Sequence, residues 1–526
     1  MREKRKTGRG EGALCLMVVM LLLLTGRAPA EEASPAEEAF SSGNAAMAAF
    51  PEEPVVTRHR GTFGGRSLAY TATAGLMPLF DGRSGDERGR LFYVAYQAEG
   101  IKRLETRPIT FVYNGGPGSP SLWLHMGLLG PKRSPVADDG LAHPRPPYGA
   151  VDNGESLLDI TDLVFIDPVG TGFSLTTPPG DDEAGRAFWG VWEDVEWVAE
   201  FIRLFLSRND RWQSPLFLVG ESYGGMRSCG LASQLQDLGI EPAGIVLVAP
   251  AVSYGDLESD SANDRPYVHA LPTMTAAAWV HGRLSPPLQA LSLDEAVERA
   301  ERFAFGPYRN ALWKGAALAG EERTALAREL AELTGLPDPF WLRWNLRVDI
   351  DRFAGELLAD ERRFVSLYDS RLSGHGSEYR LWEDPLMARV GTAFVTAFQS
   401  YLQQDLEYLT DWSYKTSGDE AFHNWNWLSG MENGFRGSPN TIRELELAMR
   451  RNPWMKVFVA MGRYDLVCPV DSVVYSLNRI DVPAETFRNV TFRTYPAGHM
   501  MYIHEETLKN LKKDLAVFYG EALGRP

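Results

Sequence analysis

Leu216-Phe-Leu-Val-Gly220-Glu221-Ser222-Tyr223-Gly224-Gly225 decides how the rest of this chain is read. The apolar run from Leu216 to Val219 fits a short strand buried on both faces, and the residues after Gly225 follow a helical pattern. Between strand and helix stands a G-x-S-x-G turn. So tight a turn leaves no room for side chains flanking the serine, which calls for glycine there and leaves the Ser222 hydroxyl exposed above the sheet. Five residues alone would also fit an ordinary glycine-rich turn. The strand before and the helix after make it a strained elbow that presents a nucleophile.

Outward from the elbow, similar runs occur at Ile109 to Tyr113, Leu163 to Ile166 and Ile245 to Ala249, each ending near Gly, Pro or Asn. Short, β-branched and bounded by loops, they predict a mostly parallel sheet with crossover helices, whose carboxyl ends gather the functional loops. Ahead of them, Ser67-Leu-Ala-Tyr-Thr-Ala and Arg90-Leu-Phe-Tyr-Val-Ala-Tyr alternate as antiparallel strands covered on one face do. From about Ser253 to Arg450 the pattern is largely helical, as in Leu293 to Phe303 and Glu321 to Leu333, with many Trp, Tyr and Phe. Aromatic residues at helical spacing serve as core, so no site is assigned there. Strands resume at Val457 to Ala460 and Val490 to Thr494, and an amphipathic segment from Glu505 to Tyr519 follows. The expected division is a core over 55–252, a helical cap inserted at 253–450, and the rest of the core over 451–526.

The 526 residues are 44% hydrophobic and 23% charged, a globular balance that excludes fibrous and disordered classes. Residues 1–30 read as an export signal: Arg2, Lys4, Arg5, Lys6 and Arg9, an apolar run from Ala13 to Leu24, then Ala28-Pro-Ala30, with cleavage after Ala30. Twelve apolar residues are too few to span a bilayer core of about 30 Å at about 1.5 Å per residue, so no stable membrane span is expected. Residues 31–54, rich in Ala, Glu, Ser and Pro, read as a flexible leader. Without the signal, 47 basic residues face 67 acidic ones, a net charge of −20, and nucleic acid is not an expected partner. Only Cys229 and Cys468 then remain, which excludes a disulfide-stapled fold. The destination after export, periplasmic or secreted, is left open, as is the oligomeric state, with a homodimer among those allowed.

A serine hydroxyl is a poor nucleophile at neutral pH and needs a base beside it and a third group to hold the base. On the α/β-hydrolase fold, a parallel sheet with an inserted cap, the chain order is Ser, acid, His. Asp465 follows the strand at Val457 in Met461-Gly-Arg-Tyr-Asp465-Leu-Val-Cys468-Pro, and His499 follows the strand at Val490 in Tyr495-Pro-Ala-Gly498-His499-Met. Either alone would pass for a surface acid or a structural histidine. Together, on one sheet edge with Ser222, they are the expected triad. Acyl transfer also needs two donors for a developing oxyanion, the Tyr223 N–H and a second from Asn114-Gly115-Gly116-Pro117-Gly118 after the strand at Ile109. No His, Asp and Glu cluster has metal-ligand spacing, so neither metal nor organic cofactor is expected.

Taken in order, Asn114-Gly-Gly-Pro-Gly118, Asp167-Pro-Val-Gly170-Thr-Gly172-Phe-Ser174, Gly220-Glu-Ser-Tyr-Gly224, Asp465-Leu-Val-Cys468 and Gly498-His499-Met resemble the serine carboxypeptidase family. Leu271-Pro-Thr-Met-Thr-Ala-Ala-Ala-Trp-Val-His281-Gly and Tyr368-Asp-Ser-Arg371-Leu-Ser-Gly are similar to the lobe of its bacterial members. The resemblance implies release of C-terminal residues from peptides through an acyl-enzyme. It also implies that Gly116 and Tyr223 supply the oxyanion N–H groups. Asn114, the Gly115 N–H and Glu221 would hold the substrate's terminal carboxylate, and Cys468 would be a free thiol beside the pocket. A carboxyl group binds another carboxylate only while one of the pair is protonated, so acidic pH should favour recognition. Two departures stand out: Ser119 replaces the family's cysteine, and Leu128 replaces its second recognition glutamate. Lys132 or Arg133 is a candidate substitute by charge pairing, against the plainer reading of solvated surface charges. The alternatives are another acyl hydrolase or acyltransferase on this scaffold, or a non-catalytic binding protein.

Overall fold

The apolar runs pair into a ten-stranded sheet. Its main strands are β1 (Val55–Phe63), β2 (Arg66–Phe80), β3 (Glu87–Ala98), β4 (Ile109–Tyr113), β5 (Asp162–Ile166), β6 (Leu216–Glu221), β7 (Pro242–Val248), β8 (Lys456–Gly462) and β9 (Val490–Tyr495). Across the sheet they run β1-β2-β3-β5-β4-β6-β7-β8-β9, with Leu175–Thr176 pairing off this path onto β3. The first three are antiparallel, β3 is antiparallel to β5, and every later neighbour is parallel. This is the α/β-hydrolase arrangement. The computed structural model describes residues 49–137, 140–260, 262–376, 383–429 and 438–525. The expected export signal and leader lie outside these residues, except for 49–54.

The strands are continuous apolar runs because helices cover both faces and side chains alternate between them. Leu216 and Leu218 point into one core, with Ile245 and Leu247, while Phe217 and Val219 point into the other, with Val246 and Val248. The first core is closed by α1 (Val191–Arg208), α2 (Tyr223–Asp237) and α5 (Ile442–Arg451), and the second by α4 (Pro385–Gln404) and α6 (Glu505–Ala522). Each such side chain contributes roughly 1.5–3 kcal/mol by leaving water. The span between β7 and β8 divides by its packing. A third apolar cluster gathers around α3 (Arg265–Val280) and runs from Tyr267 to Leu367 with Leu466, whereas α4 and α5 contribute to the two cores that flank the sheet.

Register places the site. Tyr113 lies opposite Gly220, Glu221 opposite Val248, Val248 opposite Ala460, and Ala460 opposite Arg493. The carboxyl ends of β4, β6, β7, β8 and β9 therefore finish on one line, and the loops leaving them share one edge. At the other end, the Asp162 carboxylate that opens β5 is clasped by Arg107 Nε at 2.7 Å and Arg211 Nη1 at 2.5 Å, all three buried.

Candidate active site

Ser222 sits at φ 59° and ψ −125°, a conformation that side chains rarely adopt and that costs of order 1–3 kcal/mol. The surroundings hold it there. Its N–H donates to Val248 O at 3.0 Å, and its carbonyl accepts from Gly225 N–H at 2.8 Å and Ala251 N–H at 2.9 Å. A Cβ on Gly220 would stand 2.1 Å from Gly224 O, so glycine is required there as the turn predicts. The hydroxyl is left half-exposed at the amino end of α2, where the peptide dipoles favour negative charge.

His499 and Asp465 meet as expected. His499 Nδ1 lies 2.7 Å from Asp465 Oδ2, with both side chains buried. Asp465 Oδ1 accepts the N–H groups of Val467 and Cys468, each at 2.9 Å, so the carboxylate has one orientation. Burial alone would lower the His499 pKa, but the adjoining Asp465 carboxylate outweighs it and the net shift is upward. With Nδ1 committed to Asp465, Nε2 is the nitrogen left to accept a proton. Ser222 Oγ has no hydrogen-bond partner among the described residues, a resting geometry from which such contacts tighten when substrate arrives.

A strap from the inserted region, residues 366–372, braces both loops. Leu466 N–H donates to Leu367 O, Ser370 N–H to Tyr464 O, and His499 N–H to Tyr368 O at 2.6 Å. The strap includes the Tyr368-Asp-Ser-Arg371 motif, where the buried Asp369 is bridged by Arg371. The motif was legible in the sequence, and its contacts were not.

The loop after β4 presses directly on the elbow. A Cβ on Gly115 would lie 2.4 Å from Tyr223 N and 2.7 Å from Glu221 O, so only glycine permits this approach. The N–H groups of Gly116 and Tyr223 have no hydrogen-bond partner among the described residues and remain available as a pair. The loop is anchored at its far end by the buried Asp167, whose carboxylate accepts from Ser121 N–H (2.8 Å), Ser121 Oγ (2.7 Å) and Tyr414 OH (2.8 Å). Burial raises Asp167 to about 6 against the pull of these donors.

Glu221, one residue before the nucleophile, is buried and has no ion pair among the described residues. Asn114 Nδ2 donates to Oε2 at 2.5 Å, and the Tyr502 hydroxyl reaches Oε2 at 3.0 Å and Oε1 at 3.2 Å. Burial dominates and pushes Glu221 up to about 7, opposed by the nearby His499 and by both donors. Asn114 is itself fixed, since its Oδ1 accepts Leu124 N–H and its carbonyl accepts Arg227 Nη1. Arg227 is fully buried in an ion pair with Asp194 at 2.7 Å. Sequence reading missed Tyr502, Arg227 and Asp194. Tyr502 follows His499 by three residues, the one local hint, while the Arg227 pair left none.

Cys468 is a buried free thiol, held neutral first by burial and then by the carboxylates of Asp465 and Glu221. Asp465, Cys468 and His499 bring ligand-type atoms within 4.8 Å, but the histidine and aspartate there are bonded to each other. Leu128 is buried in the apolar core beside the sheet. Lys132 is not its substitute: it pairs with Asp152 at 2.7 Å across the short ribbon of 132–133 and 151–152. Arg133 lies on the same ribbon, half-exposed like Lys132. Among the described residues no helix is long and apolar enough to cross a membrane.

The same residues find relatives among known proteins. Residues 72–239, which carry the loop after β4 and the elbow, match the sequence model of the family described as serine carboxypeptidase. Serine carboxypeptidase-like 36 of Arabidopsis thaliana is 34% identical over 138 residues, 26% of this chain and 26% of that protein. Serine carboxypeptidase-like 42 of the same plant is 26% identical over 250 residues, 46% of this chain and 45% of that protein. The matched stretches thus span less than half the length of these curated relatives. A crystal structure of a prohormone-processing carboxypeptidase from Saccharomyces cerevisiae superposes with a TM-score of 0.51 at 15% identity, covering 85% of this chain and 91% of that one, a likeness of fold. Residues 72–239 thus resemble the serine carboxypeptidase family in sequence, and the fold around them is shared with a known carboxypeptidase.

Proposed function

We propose that the protein is an exported serine carboxypeptidase that releases C-terminal residues from peptides through an acyl-enzyme on Ser222. In this reading His499 Nε2 takes the Ser222 proton as Oγ attacks the last peptide carbonyl. The oxyanion is met by the N–H groups of Gly116 and Tyr223, and Asp465 steadies the imidazolium. His499 then gives the proton to the departing amine, and water, activated by the same nitrogen, frees the acyl group. Export would follow cleavage after Ala30, and the 253–450 region would form the cap over a core built from 55–252 and 451–526.

The observation that supports a carboxypeptidase over a general acyl hydrolase is Glu221. A buried carboxyl beside the nucleophile, near neutrality in its titration and hydrogen-bonded by Asn114 and Tyr502, suits the capture of another carboxylate. While Glu221 is protonated it can donate to a substrate's terminal carboxylate, with the Gly115 N–H as a second donor. An esterase pocket has no use for such a group. Hydrolysis of a blocked dipeptide with a free C-terminus, set against its C-terminal amide at pH 5.5, tests this. The reading expects the free acid to be cut at least tenfold better in kcat/KM, and equal rates would overturn it.

A further inference from the structure

Tyr502 lies three residues past His499 in a short helical turn, Met501–Ile503, and its ring is buried. The ring occupies the space where a side chain of residue 127 would be: a Cβ on Gly127 would stand 2.2 Å from Tyr502 Cε2 and 2.4 Å from Cδ2. This glycine, in the segment His125–Leu129 after the oxyanion loop, lets the ring through to Glu221. There the hydroxyl lies 3.0 Å from Oε2 and 3.2 Å from Oε1. Asn114 cannot be turned around, because its Oδ1 accepts Leu124 N–H, so its Nδ2 must donate to Oε2. Asn114 and, at the shorter of its two contacts, the Tyr502 hydroxyl therefore converge on Oε2.

We propose that Tyr502 is a specificity-determining positioning residue: with Asn114 it occupies Oε2 of Glu221, so that the carboxyl's proton is carried on Oε1 and offered to the C-terminal carboxylate of the peptide. The inference rests on the carboxypeptidase reading and extends it to a residue outside the triad and the oxyanion loop. Its chemistry is one of hydrogen bonding alone. A protonated carboxyl has one donor, and an oxygen that already accepts two hydrogen bonds is the poorer place for the proton. The other titratable groups close to this carboxyl are His499, Asp465, Cys468 and Tyr368. The first two are engaged with each other, and Cys468 and the half-buried Tyr368 stay neutral, so Tyr502 is the one that donates to Glu221.

The test compares Tyr502→Phe with wild type on a blocked dipeptide and on its amide from pH 5 to 9, with near-UV circular dichroism to show that each variant is folded. Tyr502 hydrogen-bonds and so favours the ionised form of Glu221. Its removal should shift the alkaline fall of kcat/KM for the free acid to higher pH and reduce the free-acid over amide preference at pH 5.5 at least fivefold. An unchanged limb with an unchanged preference overturns the proposal. The double variant Glu221→Gln/Tyr502→Phe separates action through Glu221 from a general packing effect. Beside Glu221→Gln alone, the added Phe should alter the preference less than twofold, whereas an equal loss in both backgrounds also overturns the proposal. A wild-type enzyme with no preference for the free acid would instead sink the carboxypeptidase reading itself.

Discussion

Asp465→Asn should inactivate the enzyme through a tautomer rather than through lost charge. Oδ1 of Asp465 accepts two backbone N–H groups, from Val467 and Cys468, while Oδ2 meets His499 Nδ1. In the variant the amide oxygen must stay on the two N–H groups, because the amide nitrogen cannot accept them, so its NH2 faces Nδ1. Nδ1 then has to accept, which moves the ring proton to Nε2, and the nitrogen required as base toward Ser222 becomes a donor. A wrong tautomer in such a triad costs about 10⁴ in kcat, or about 5.4 kcal/mol at 1.36 kcal/mol per decade. Loss of one hydrogen bond to a charged group would cost only about 1.5–3 kcal/mol, roughly 10- to 150-fold. The two outcomes are well separated. The assay is kcat at saturating blocked dipeptide, pH 6, with native protein counted by near-UV circular dichroism. A loss below about 200-fold would refute the tautomer argument, which rests on the occupancy of Oδ1.

The alkaline limb offers a second check. Because Glu221 ionises at about 7, kcat/KM for a free-acid substrate should fall as pH rises through that value, and Glu221→Gln, which cannot ionise, should abolish this alkaline fall. A limb that persists in the glutamine variant would assign the titration elsewhere. Gly115→Ala forces a Cβ to 2.4 Å from the Tyr223 nitrogen, so the oxyanion loop must retreat, and kcat should drop at least 100-fold, about 2.7 kcal/mol for one misplaced donor. Native KM and kcat in that variant would contradict the tight approach. Arg211→Ala leaves the buried Asp162 with one of its two guanidinium partners and should cost about 3–5 kcal/mol, read as a lower urea midpoint at unchanged slope. The site lies at the other end of the sheet, so residual native enzyme should keep its kcat.

What the sequence made legible was local. β4 runs from Ile109 to Tyr113 as the apolar run predicts, and the strand, turn and helix around Ser222 follow from residues within a few positions of one another. The order Ser, Asp, His then brought out Asp465 and His499, because each stands just past a strand whose neighbour in the sheet is dictated by parallel pairing. The contacts that steady the site were not legible. The Tyr502 hydroxyl meets a residue 281 positions away, and Arg227 meets Asp194 across two helices, so no spacing records either pair. The partner of Lys132 was hidden for a related reason. The lysine's proximity in sequence to the Leu128 position suggested a role, but the chain turns after Gly130 and carries it onto a surface ribbon with Asp152. The inserted region showed a similar limit: a largely helical pattern over 253–450 did not record that α4 and α5 join the two cores flanking the sheet while α3 gathers a cluster of its own.

The central claim is that the hydroxyl at the strained elbow is the nucleophile, activated by His499. Incubation with a fluorophosphonate, digestion and mass spectrometry of the peptides test it directly. A single adduct on Ser222, absent in Ser222→Ala and formed far more slowly in His499→Ala, is the expected result. An adduct on another residue, or none at all on natively folded protein, would contradict the account.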